Sequence, residues 1–172
     1  LGARFSSALS SSRISTLIKK IYIVLILLLV LTGCSETRPV LGITDGHLMT
    51  CPKTPNCVSS HAKDETHFIQ PTVFIGTSQQ AQRRLLEILM EWEGTKIVVF
   101  QDKYIRAEFT SKIFRFVDDV EFYFPATGTK EITIHSRSAS RVGTSDFGVN
   151  RKRIEQIRDH LIKKIPGNSA AG

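Results

Sequence analysis

The chain has 172 residues, room for one domain or a domain with an appendage, and too few for a two-domain nucleotide enzyme. With 41% hydrophobic and 23% charged residues it is a globular chain able to bury a core rather than a disordered one. The net charge of +7 is concentrated at the front: Arg4, Arg13, Lys19 and Lys20 precede Cys34 without any acid, leaving 19 bases (23 minus 4) against 16 acids beyond it, so a nucleic-acid-binding stripe on the folded part loses its main support.

Residues Ile21 to Leu31 form an uncharged apolar run directly after Lys19-Lys20. A membrane-spanning helix wants about 20 apolar residues, whereas a secretory signal needs a positive start and an apolar stretch of roughly 7 to 15. The run fits the second pattern. The chain opens with Leu1 rather than Met, and the Ser-rich stretch Ser6 to Ser15 precedes the Lys pair, so a start further in is expected. Leu31-Thr32-Gly33-Cys34 resembles the lipobox of bacterial lipoprotein precursors. The resemblance implies that residues 1–33 are a signal peptide and that Cys34 is acylated and becomes the first residue of the mature chain. A cysteine suits this role because its thiolate accepts a diacylglyceryl group, each buried methylene of which adds about 0.8 kcal/mol of membrane affinity. An uncleaved anchor helix is the alternative. Either way the remainder faces the export side. By analogy with enteric lipoproteins, Ser35 in place of Asp favours the outer membrane facing the periplasm if the source is Gram-negative.

Residues 34–50 are polar, contain Pro39 and Gly42, and are expected to tether the lipid to a single domain over 51–165; the tail 166–172 is expected to be disordered. Within the domain, Ala81, Leu85, Ile88, Leu89 and Trp92 recur at helical spacing, with Thr77 or Ser78 as N-cap and Gly94 just past the end. Lys96 to Phe100 and the alternating Tyr104 to Phe109 read as strands, and Val120 to Phe124 with Ile132 to Ile134 as a hairpin. A small strand within Phe68 to Ile75 would be confined to an edge by Pro71. From Val149 to Ile165 a second helix places Ile154, Ile157, Leu161 and Ile165 on one stripe. The order predicts a two-layer α+β domain, a four-to-five-stranded antiparallel sheet with two helices packed on one face.

In an exported chain, Cys51 and Cys57 are most simply joined in a disulfide. A redox-active pair and a zinc site with His61 and His67 are the rivals, although zinc cysteines usually sit two to four residues apart and redox pairs have two intervening residues.

Two further stretches are harder to read as scaffold. In Phe114 to Phe122, the alternation puts Asp118 on the apolar face, where its carboxylate must be paired, exposed by a bend or shifted upward in pKa. Arg137 to Arg151 leaves a strand, passes two glycines and enters a helix, a natural anion site in which Arg137, Arg141, Asn150 and Arg151 are candidates to close on phosphate or carboxylate. The scaffold alternative has Asp118 or Asp119 receiving Arg137 or Arg141, and Asp146 capping the last helix. A polar or catalytic cluster would draw on Asp118, Asp119, Ser138 and Asp146, with His135 added for a triad. No Gly-x-Ser-x-Gly elbow supports a triad, and Asp146-Phe147-Gly148 copies a kinase tripeptide without its companion motifs. Asp118 and Asp119, as strand neighbours, share one cation only across a bend.

These stretches, together with Cys-Pro-x-x-Pro-Asn-Cys-Val-Ser-Ser from Cys51 to Ser60, resemble the bacterial and plastid family known as domain of unknown function 1499, from Cys51 to about Leu161. The resemblance implies a single exported or membrane-associated domain and hands over no catalytic residues. The sequence therefore points to a lipid-anchored envelope protein whose domain binds or scaffolds, engaging an anionic envelope component or another envelope protein, with no metal, cofactor or nucleic acid. The alternative is a small envelope hydrolase or metal-assisted enzyme using Asp118 or Asp119.

Overall fold

The computed structural model describes residues 11–30, 40–126 and 131–163. Contacts divide the chain into two units, Leu1–Arg38 and Pro39–Gly172. In the first, α1 runs over Ser11–Val30. Among the described residues, no helix is long and apolar enough to cross a membrane. Cys34 and Ser35 lie outside the described residues, as do Ile165 and the tail.

The second unit orders its elements as β1 (Ile43–Thr44), β2 (His47–Leu48), β3 (Cys57–Ser59), β4 (Thr72–Ile75), α2 (Ser78–Glu91), β5 (Thr95–Gln101), β6 (Tyr104–Thr110), β7 (Val117–Tyr123), β8 (Glu131–Ser140) and α3 (Val149–Ile162). It is an α+β fold with antiparallel strand pairing. β1 and β2 form a small hairpin within residues 40–50, where the polar composition predicts a tether.

The main sheet has six strands, not four or five, in the order β3-β8-β7-β6-β5, with β4 also against β8. β8 accommodates the extra partners because it is ten residues long. Thr72 to Ile75 pair with its first half and Cys57 to Ser59 with its second, Val58 lying opposite Ser138. β3 escapes a periodicity reading because three residues are too few to display alternation.

Local chemistry accounts for the helix ends. Thr77 Oγ1 accepts the Gln80 N–H at 3.2 Å while Gln80 Oε1 accepts the Thr77 N–H at 2.8 Å, a capping box that starts α2. After Trp92 the chain turns at Gly94, whose φ of +77° is open to glycine and whose missing Cβ would stand 2.5 Å from the Thr110 carbonyl oxygen. On one side of the sheet Ile105, Ala107, Val120, Phe122 and Ile134 join Leu85 and Leu89 of α2 and Ile154 and Ile157 of α3 in one core. Apart from Ala107, each of these side chains contributes roughly 1.5–3 kcal/mol when fully buried. The other side of the sheet is polar in sequence yet also buried in part, with the β1–β2 hairpin lying against β7 and β8. Glu121 and Asp119 there are 0% and 1% exposed.

Candidate functional site

β7 and β8 run side by side, with Asp118 opposite Ser140 and Val120 opposite Ser138, so Asp118, Ser138 and Ser140 emerge on the helix-facing side. α3 supplies what they meet. Asn150 and Arg153 are buried one turn apart, on the stripe that continues through Ile154 and Ile157. Arg153 Nη2 donates to Asp118 Oδ2 at 2.6 Å, and Nη1 donates to Asn150 Oδ1 at 2.7 Å and Ser138 Oγ at 3.0 Å. Ser138 Oγ in turn donates to Asn150 Oδ1 at 2.5 Å. Asn150 Nδ2 donates to the Asn56 carbonyl and to Ser140 Oγ, each at 3.0 Å. The Arg153 guanidinium also lies 4.7 Å from the centroid of the Phe109 ring, a cation–π contact on the apolar side.

The opposite face holds a second set. Arg141 grips Asp119 with both Nε at 2.7 Å and Nη2 at 2.9 Å, and its Nη2 reaches Glu108 Oε1 at 2.6 Å. Arg137 Nη1 donates to Glu121 Oε2 at 3.0 Å, while Glu121 Oε1 accepts from the Tyr104 hydroxyl at 2.7 Å and from the Gly42 N–H at 3.1 Å. Burial and then the Glu121 carboxylate raise the Tyr104 pKa far above its ordinary value, so this phenol stays protonated as a donor. Hydrogen bonding to Asp119, opposed by burial and reinforced by Glu108, raises that of Arg141. Both faces therefore carry carboxylates matched to arginines, which is how buried charges are retained at acceptable cost.

The residues of the strand-to-helix junction are distributed among separate partners. Arg137, Arg141, Asn150 and Arg151 do not converge on a common point. β8 continues regularly to Ser140, so alternation turns Arg137 away from Ser138 and toward Glu121. Arg151 donates instead to the carbonyls of Phe68 at 2.7 Å and Thr66 at 2.9 Å. The start of α3 is occupied by Asp146, which accepts from Gly148 N–H at 3.1 Å and Asn150 N–H at 2.7 Å, although the N-cap position itself falls on Gly148. Asp119 receives Arg141, one of the pairings the scaffold alternative offers, whereas Asp118 is paired by Arg153.

The catalytic groupings separate for the same reason. Asp118 and Asp119 point to opposite faces and take different arginines, so they share no cation site. His135 lies on the face away from Ser138 and Asp118, stacked on His61 with ring centroids 4.1 Å apart. Among the described residues no group of three or more His, Cys, Asp or Glu is placed to hold a metal ion. Cys51 and Cys57 are joined in a disulfide with an S–S distance of 2.03 Å.

Arg153, Glu108, Glu121, Tyr104 and Asn56 complete the two clusters without having been singled out from the sequence. Arg153 had a usable signal, because it stands on the same helical stripe as Ile154 and Ile157. Glu108 and Glu121 had none, since an alternating strand assigns them to a solvent face that this fold covers. Asn56 of the disulfide loop, Asp118 of β7 and Ser138 and Asn150 around the junction bring the three sequence signatures into one hydrogen-bonded core.

An antiparallel α+β domain with buried Arg–carboxylate clusters on both sides of its sheet is thus the class to which the chain belongs. More particularly, it is a member of the family described as protein of unknown function (DUF1499), whose model matches residues 47–161. No curated protein matches the chain.

Proposed function

We propose that this protein is a cell-envelope lipoprotein, held to the membrane through acylated Cys34, whose α+β domain binds or scaffolds rather than catalyses. The anchor reading rests on Lys19-Lys20, the short apolar run and Leu31-Thr32-Gly33-Cys34. The Cys51–Cys57 disulfide is in keeping with an oxidising compartment outside the cytosol. In a Gram-negative source, Ser35 favours the outer membrane facing the periplasm. The observation that carries the non-catalytic reading is the pairing of Asp118 with Arg153 and of Asp119 with Arg141, which leaves neither carboxylate disposed as a general base or a metal ligand. The partner on this reading is an anionic envelope component or another envelope protein.

Metabolic labelling with radioactive palmitate tests the anchor. Label in the wild-type chain and none in Cys34→Ser is expected. A water-soluble cytosolic product with three free thiols overturns the reading.

A further inference from the structure

With the junction arginines committed internally, an anionic partner needs another seat. A cleft of about 590 Å3 opens between β4, α2 and α3, within the 300–1,000 Å3 range of small-molecule pockets. Its apolar walls include Phe74 and Ile75 of β4 and Leu161 and Ile162 of α3. Ile75 is 79% exposed and Ile162 56%, so large aliphatic surface is left uncovered on a concave patch, which soluble surfaces normally avoid unless it is used.

Among the described residues the charges at the rim are unbalanced. Glu87 is matched by Arg84 at 3.2 Å. Arg83 and Lys163 also line the cleft, and neither has an ion pair among the described residues. An apolar trench with two cations unmatched among the described residues suits a ligand with one long hydrocarbon chain and one negative head. A neutral chain leaves the cations without a counter-charge, and a bare inorganic anion leaves the apolar walls wet. The guanidinium of Arg83 suits a carboxylate, and the Lys163 ammonium on its flexible stem adapts to the head position.

We propose that this cleft binds a single-chain anionic amphiphile, a long-chain carboxylate, with its hydrocarbon against Phe74, Ile75 and Leu161 and its head between Arg83 and Lys163. This deepens the binding reading of the preceding section by naming the ligand class and its seat, and it does not depend on acylation of Cys34.

The test uses the full chain in phosphatidylcholine vesicles, irradiated with a diazirine-bearing palmitate or with the corresponding uncharged alcohol, followed by peptide mapping. The acid is expected to label peptides of β4, α2 and α3 and to do so more than the alcohol. The double variant Arg83→Gln, Lys163→Gln is expected to lose about tenfold in acid labelling, the sum of two exposed charge contacts, with its thermal midpoint unchanged. Ile75→Asp, at an exposed position, is expected to abolish labelling by both probes while folding normally. Equal labelling by acid and alcohol, label confined to other segments, or full labelling of the double variant overturns the proposal. Loss of cleft labelling with Cys34 still acylated would remove the ligand site alone, whereas an unacylated Cys34 with the cleft labelled would remove the anchor alone.

Discussion

Asp118 and Arg153 meet at 2.6 Å across 35 residues of sequence, pinning the last helix to the seventh strand. Both side chains are largely shielded, and the arginine is further held by Ser138, Asn150 and the Phe109 ring. Removing either partner leaves an uncompensated charge at the polar end of the core. Asp118→Asn and Arg153→Met are each expected to lower unfolding free energy by about 3 kcal/mol, whereas replacing both with apolar residues recovers much of the loss. Urea denaturation of the two single variants and the double variant measures this. A single variant as stable as wild type would mean that the pair is not a structural unit.

Three histidine rings stand in series near the β1–β2 hairpin. His47 lies 4.8 Å from His61, and His61 lies 4.1 Å from His135, which in turn stacks on Tyr123. The Leu48 N–H donates to His61 Nδ1 at 3.1 Å, so that nitrogen is unprotonated and the ring neutral. Burial, then the neighbouring His135 and His47, lower the His61 pKa from 6.5 to about 4, and burial followed by His47 lowers that of His135. The unfolded chain, with ordinary histidines, therefore takes up protons first as the pH falls. Stability is full above about pH 6.5 and declines through the window toward pH 4, by on the order of 1–2 kcal/mol after allowance for solvent screening. Thermal midpoints across this range are expected to fall with acidification, and His61→Asn, which keeps an acceptor for Leu48, to flatten the slope. An identical slope in the variant would assign the acid sensitivity elsewhere.

Reduction of Cys51–Cys57 is expected to lower stability by about 2 kcal/mol, the chain-entropy value for so short a loop. Because Asn56 inside that loop accepts from Asn150 and from the Ser140 N–H, reduction should also raise hydrogen exchange at the start of α3. Exchange measured with and without reductant gives the answer, and unaltered protection at Asn150 would sever the link between disulfide and helix.

At Gly94 the backbone φ of +77° and the 2.5 Å approach to the Thr110 carbonyl act together. Gly94→Ala is expected to cost more than about 1 kcal/mol, since the positive φ alone accounts for that much and the carbonyl belongs to backbone that must shift. Chemical denaturation of the variant checks it. A neutral effect would show the turn to be free to rearrange.

Periodicity located both helices of the domain and the strands that became β5 to β8, because alternation and helical stripes are local properties recorded directly in side-chain order, while Pro71 marked the following strand for an edge. The same local logic flagged Asp118 as a carboxylate on an apolar face and marked Cys51 and Cys57 for joining. Arg141 for Asp119 was among the pairings it offered, but the partner of Asp118 was beyond it. Whether Asp118 takes Arg137, Arg141 or Arg153 depends on which helix turn lies over β7, and that is fixed by the packing of Ile154 and Ile157 against the sheet. Likewise Glu121 reads as a solvent-facing strand residue until a hairpin from residues 43–48 closes over it. Short range decides what each segment is; contacts between segments distant in sequence decide which charges are satisfied, and so which stay available to a ligand.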